Sequence, residues 1–530
     1  MTPTRRLLLL VGPLIVLCAL LSGTPVAQAA DQSASTPDRI SYDVTLRADD
    51  AGTRWVGRER ISFTHTGTGP ALREVYVRLW GNGVDGCGGP GGLSPVSVSR
   101  VTGGVADAPS VNCTALRIRL AHPLAPGART SVGFDVSLAV PDRMARFGRG
   151  GDFRYLGNAL PVLAVRDGRG WHLDPDVGFG ESYFTLAADF RVVLDHPARL
   201  AVPATGTTTT GPGGPGRSVT VSTAHHARDF AWAAGPFRTA VATSPGGVRV
   251  RAYWTENTDP SGVASARQES AEAVDSFGKR FGTYPYGELD IVLSPDFTFG
   301  SMEYPGFVLV STGPDGSAVV HEIAHQWWYG IVGDDEYADP WLDESFATYA
   351  QDLFYGDSAE GCWPDVFWPR PDATITADMG YWARPPGHNG WTAVVYRAGS
   401  CALHDLERVL GTPATEHMLR RYARDHWYGV STDDAFMSAA QAATGKDLTA
   451  FWQEHRIRVH DRGTRQPPVP GGRALRRDTP TSAQEQGQKA LPLVGRRGGA
   501  VGPSARYCTH LLVRVHGEKR RPHGVVMASR

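Results

Sequence analysis

Two hydrophobic rhythms divide this chain. Between about residues 40 and 240, apolar and polar residues alternate in short runs separated by Gly/Pro-rich turns. Tyr42-Asp43-Val44-Thr45-Leu46, Leu116–Leu120, Val132–Val136, Phe190–Leu194 and Val219-Thr220-Val221 each present one apolar face at period two, the signature of a half-buried strand. No helical period of any length interrupts them, so this stretch predicts an antiparallel β domain. Thr207–Thr210, with its Gly and Pro neighbours, reads as a loop.

Beyond residue 240 the apolar spacing lengthens to three or four. Residues 262–281, 317–330, 343–355, 397–411 and 432–443 read as helices, several closed by Gly282, Gly330, Gly356 or Gly411. Short strands are expected at Asp290–Leu293 and Phe307–Val310. The fold class is therefore multidomain, β then α+β: a β domain over 30–240 and a helix-rich domain over 241–460.

The two ends differ from this body. Arg5-Arg6, the apolar run Leu7–Leu21 and Ala27-Gln28-Ala29 follow the order of a secretory signal peptide over 1–29, with cleavage expected near Ala29. Fifteen residues interrupted by Gly12-Pro13 are short for a bilayer span, so the mature chain is expected outside the cell and off the membrane. Residues 461–530 lose apolar periodicity and are expected to form a basic, disordered tail. The formal charge of −1 hides this asymmetry. The tail carries 14 Lys/Arg against 4 Asp/Glu, whereas 31–460 carry 37 against 50. The tail's arginine pairs lack interleaved aromatics, so nucleic acid is not an expected partner. An oxidising compartment would permit Cys87–Cys113 and Cys362–Cys401 bridges, each within one domain, leaving Cys508 over.

Candidate chemistry lies between residues 300 and 400. Val320-His321-Glu322-Ile323-Ala324-His325 contains H-E-x-x-H. On a helix, residues four apart share a face, so both imidazoles can meet one Zn²⁺ while Glu322 leans towards the same space. Ser317 is a candidate N-cap for that helix. A catalytic zinc centre needs three protein ligands and an open position. Glu344, nineteen residues after His325, can supply the third. Asp339 as N-cap and Pro340 at N1 would start its helix, and the loop Gly333-Asp334-Asp335-Glu336 would fold it back beside the first. That acidic loop reads as a solvated turn, with a weak Ca²⁺ site as the alternative.

These elements resemble the gluzincin peptidases, and their surroundings resemble the aminopeptidase N family. Trp327-Trp328 follows the second His, and Trp341-Leu-Asp-Glu-Ser-Phe-Ala-Thr-Tyr349 surrounds Glu344. Gly300-Ser-Met-Glu-Tyr304 stands where the family has G-x-M-E-N, and Val395-Tyr396-Arg397-Ala398-Gly399 resembles V-Y-x-K-G. The resemblance covers about 40–460 and implies a saddle-like β domain followed by a thermolysin-like catalytic domain. It implies one Zn²⁺ per chain on His321, His325 and Glu344, Glu322 as general base and Tyr396 as donor to the oxyanion. It also implies that Glu303 pairs with the substrate's free α-ammonium, with Ser301 and Met302 beside it in the substrate site.

The expected activity is release of N-terminal residues from peptides by a secreted monomer. The chain would be a short form of the family, without the large helical C-terminal domain of longer members. Two departures stand out: Tyr304 replaces the usual Asn, and Arg397-Ala398 replaces x-Lys. A second amine-binding residue in the β domain is not identified, although Asn158 and Glu181 lie in the right region. Alternatives are a zinc epoxide hydrolase or endopeptidase, or a non-catalytic secreted binding protein on the same fold.

Overall fold

The period-two segments pair into a seven-stranded sheet in a computed structural model that describes residues 37–88, 94–312, 318–385 and 390–458. The signal segment 1–29, the tail 461–530, Ser317 and Cys508 lie outside the described residues. Strand order is Thr207–Pro212, Arg217–Ala227, Ala188–Pro197, Asp38–Ala48, Arg54–Thr64, Arg129–Ala139, Val96–Thr102. Along Asp38–Ala48 the positions Tyr42, Val44, Leu46 and Ala48 face the core, and Asp43, Thr45 and Arg47 face solvent. A four-stranded sheet, Val162–Leu163, Leu72–Arg78, Ala115–Leu124, Gly104–Ala106, adds Val75, Val77 and Ile118 to the same core. Trp55, Phe63, Phe190 and Trp232 fill it, and full burial of an apolar side chain stabilises by about 1.5–3 kcal/mol.

Two details differ from the sequence reading. Asp38–Ala48 and Ala188–Pro197 run parallel, with Tyr42 opposite Phe190, while the other pairs of the large sheet are antiparallel. A parallel pair needs a long crossover, and here most of the β region separates the two strands. Thr207–Thr210 is not a loop but the start of the edge strand Thr207–Pro212. A run of β-branched threonines suits an exposed edge, and the Gly/Pro signal belongs to the turn after it.

The second rhythm becomes a sheet of Arg238–Thr243, Arg249–Trp254, Glu288–Ser294 and Phe307–Ser311, parallel after its first pair. Helix Pro260–Phe281 makes the crossover between Arg249–Trp254 and Glu288–Ser294. Asp259 caps it, its side chain accepting from Gly262 N at 3.1 Å. Helices Trp341–Tyr355, Gly399–Leu410, Thr412–Asp425 and Asp433–Thr444 follow. Gly356, at φ 74°, ends the first of these in the left-handed conformation that glycine adopts without strain. Both cysteine pairs, Cys87–Cys113 and Cys362–Cys401, are bridged, with Cα separations of 5.2 and 5.9 Å. Where the β region meets the helix-rich region, Phe153, Tyr155, Ala233 and Phe237 pack on Phe297, Met302, Tyr304 and Phe307. Among the described residues, no helix is long and apolar enough to cross a membrane.

Candidate active site

The histidine pair sits at the end of a short helix. Val319–Ala324 is α-helical and His325 is its C-terminal cap, so the helix stops well before Gly330. The four-residue spacing still places both rings on one face, with His325 Nε2 3.0 Å from His321 Nε2. The second helix starts at Trp341 with Pro340, rather than Asp339, at its cap position. The Asp339 carbonyl accepts from Leu342 N at 3.0 Å instead. Asp343 and Glu344 occupy the first turn, where carboxylates suit the helix dipole.

Glu344 Oε2 lies 3.1 Å from His321 Nε2 and 3.3 Å from His325 Nε2. The three donor atoms fall within 4.8 Å of one another, and all three residues are buried. The His325 Nδ1 lies 3.0 Å from the Trp328 carbonyl, which turns Nε2 towards the cluster. Burial would raise the Glu344 carboxyl, but its hydrogen bonds with the two histidines hold it below the usual carboxylate range. Burial lowers His321 and favours the neutral imidazole, the form that ligates a metal. At His325 burial is outweighed by Glu344, Glu303 and Glu322, which push its pKa upwards. This field demands a cation. Two imidazoles and one ionised carboxylate converging in a buried pocket fit a zinc ion. A second triple, Glu303, His325 and Asp343, shares His325 with the first.

The structure brings Glu322, Glu303 and Tyr396 to this cluster. Glu322 is buried, and burial followed by the charge of Glu303 pushes its pKa up. Tyr396 lies on a π-helical turn, Ala393–Ala398, of the kind that re-aims side chains at functional sites. Its ring stacks on His321 at 5.8 Å between centroids, and its hydroxyl donates to Glu344 Oε1. Glu303 is buried, and burial followed by Glu181 raises its carboxyl. Its backbone is tied to the zinc motif. Gln326, next to His325, donates to the Glu303 and Tyr304 carbonyls at 3.4 and 3.2 Å and accepts from Gly306 N at 2.7 Å.

Ser301 and Met302 brace that segment from behind. Ser301 Oγ accepts from Ser311 N at 2.9 Å, and Met302 pairs its backbone with Leu309 and packs in the apolar join. Neither side chain joins the ligand group.

Several buried polar residues were not legible as site residues. Asp334, Asp335 and Glu336 do not form a solvated turn; all three are buried. Glu336 accepts from Tyr183 N at 3.1 Å, and Asp335 pairs with His172. Arg228, from the β region, donates to the Tyr329 carbonyl at 2.7 Å and to the Gly429 carbonyl. That pins the turn after His325, where Tyr329 holds φ 127°. Glu181 also approaches from the β region, and its charge bears on Glu303, Glu322 and Tyr396. Tyr304, in place of the family's Asn, donates to Asn158 Oδ1 at 2.9 Å, in a gap that a side chain at Gly157 would close.

A β region joined to a helix-rich one, with two histidines and a glutamate on consecutive helices, defines a gluzincin-type centre. No family model matches the chain. It is 25% identical over 239 residues to aminopeptidase N of Streptomyces lividans, covering 39% of this chain and 27% of that protein. It is 30% identical over 186 residues to aminopeptidase N of Lactococcus lactis, covering 30% and 22%. The chain thus spans about a quarter of the length of these curated relatives. Among solved structures, an M1 zinc metallopeptidase from Deinococcus radiodurans shares the fold. Its TM-score is 0.59 at 20% identity, over 83% of this chain and 97% of that one. A variant of that protein bound to a Tyr-Ser-Ala substrate superposes with the same TM-score, over 81% and 96%. The chain is thus similar in sequence to aminopeptidase N proteins over part of its length and shares the fold of M1 zinc metallopeptidases.

Proposed function

We propose that this chain is a zinc-dependent aminopeptidase that releases N-terminal residues from peptides. The observation that carries the reading is the convergence of His321, His325 and Glu344 on one buried point, with Glu322, Tyr396 and Glu303 around it. One zinc ion held by the three ligands would supply a Lewis acid that polarises the scissile carbonyl and activates water.

The chain's own residues do the rest. Glu322 stands outside the ligand set, and its raised pKa suits a base that takes a proton from the attacking water and returns it to the leaving amine. Tyr396 stays protonated because burial and Glu344 push its pKa up, so its hydroxyl is a hydrogen-bond donor for the developing oxyanion. Glu303 lies in a buried negative field where an incoming ammonium is the missing counter-charge. Recognition of that ammonium restricts cleavage to the first peptide bond. Glu181 completes the amine-binding end from the β region. Relatives that carry the name aminopeptidase and the neighbour holding Tyr-Ser-Ala support a peptide substrate.

We also propose export from the cell, which the signal-peptide order of 1–29 and the two disulfides support. The activity is tested by loading wild type and Glu322→Gln with zinc and following hydrolysis of an aminoacyl amide. Wild type is expected to turn over. The variant should bind zinc equally and lose about 10²–10⁴ in kcat. Absence of turnover by zinc-loaded wild type would favour a binding protein on this fold.

A further inference from the structure

The amine-binding end contains a buried cation. Arg146 stands at the base of the hairpin formed by Phe147–Gly150 and Phe153–Leu156. Its carbonyl accepts from Gly157 N at 2.9 Å, so Arg146 and Asn158 leave the hairpin side by side. Asn158 accepts from the Tyr304 hydroxyl and donates to Asp229 Oδ2 at 2.6 Å, fixing the hairpin against the Glu303–Tyr304 segment. Arg146 donates to Glu181 Oε1 at 2.6 Å and to the Gly180 carbonyl at 3.4 Å. The two side chains are 20% and 8% exposed, so water screens the pair weakly. The guanidinium also lies 5.3 Å from the centroid of the Tyr183 ring.

This arrangement has a consequence for charge. With a cationic ligand holding both groups ionised, Glu181 and Glu303 would together give the amine-binding end two negative charges, and a peptide's α-ammonium supplies one positive charge. Arg146 engages one of the two carboxylates directly, and its field reaches Glu303 as well. We propose that Arg146 is a specificity-determining residue. By pairing with Glu181 it reduces the fixed charge at the amine-binding end to that of one carboxylate, which matches a first residue with a neutral side chain and disfavours one carrying a second cation. The inference rests on the aminopeptidase reading of the same site.

The sign follows from Coulomb's law. A guanidinium repels a second ammonium in the cleft, and removing it exposes Glu181 to attract one. In a partly desolvated pocket either effect changes affinity by roughly tenfold.

The test compares kcat/KM on leucyl and lysyl amides for wild type, Arg146→Gln and Arg146→Lys. Wild type should prefer the leucyl amide. Arg146→Gln should shift the ratio towards the lysyl amide by about tenfold, mainly through KM, and Arg146→Lys should keep the wild-type ratio. An equal loss on both substrates in Arg146→Gln would mean a purely structural residue and overturn the proposal.

A measurement on wild type alone guards against misfolding of the variant. Pentylamine should inhibit more tightly than 1,5-diaminopentane, and the reverse order also overturns the proposal. Failure of the underlying reading looks different, because wild type would then either cleave N-acetylated substrates equally or turn over neither amide.

Discussion

His172 Nδ1 of the β region lies 3.0 Å from Asp335 Oδ2, in the loop that joins the histidine helix to the Glu344 helix. The other ring nitrogen lies 3.0 Å from Asp167 Oδ2. An enclosed Asp–His–Asp triad therefore ties the β region to the loop that spaces the metal ligands.

Burial alone would lower the His172 pKa, but the Asp167 and Asp335 carboxylates against its two ring nitrogens raise it from the usual 6.5 to about 9. A raised folded-state pKa contributes stability in full below about pH 6.5, lost as pH rises through about 9. The shift corresponds to a loss on the order of 3 kcal/mol. Urea unfolding of wild type at pH 6 and pH 9.5 should show that loss, and His172→Gln should be less stable at pH 6 and flatter between the two. Parallel pH profiles for the two proteins would rule the triad out as the cause.

Tyr396→Phe removes one hydroxyl and keeps the ring stacked on His321. A donor that acts on the oxyanion is worth about 10²–10³ in kcat with little change in KM. Steady-state kinetics should show that split, with zinc content unchanged by elemental analysis. An effect confined to KM would assign Tyr396 to substrate binding instead.

The Cys362–Cys401 bridge closes a loop across 39 positions and anchors the helix Gly399–Leu410, which begins just after the Tyr396 turn. Loop-closure entropy puts the bridge at about 4 kcal/mol. The double variant Cys362→Ser, Cys401→Ser should unfold at a clearly lower temperature while keeping near-native kcat at 25 °C. An unchanged melting temperature would show that packing alone holds this helix.

The ligands were legible because their geometry is local. Four residues of helix align His321 with His325, and one loop returns Glu344 to them. The surroundings of Glu303 were less legible, because Arg146 and Glu181 lie in the β region, more than a hundred residues before Glu303, and no spacing links them to it. Asp334-Asp335-Glu336 has the composition of an exposed turn. Partners supplied by the β region, His172 for Asp335 and the Tyr183 amide for Glu336, hold two of its three carboxylates in the interior. Helix Thr412–Asp425 escaped a periodicity reading because Met418, Leu419, Tyr422 and Ala423 form a narrow apolar stripe among charged residues. The Val319–Ala324 helix is shorter than its apolar pattern suggested, since the chain turns at Tyr329 under the hold of Arg228.

The most direct test of the account is a paired assay of zinc-loaded wild type on an aminoacyl amide and its N-acetylated form. The buried field at Glu303 and Glu181 predicts hydrolysis of the free amine, with the acetylated form slower by at least about 10³, because it leaves those carboxylates without a counter-charge. Equal cleavage of both forms would contradict the aminopeptidase assignment and make the chain an endopeptidase on the same zinc centre.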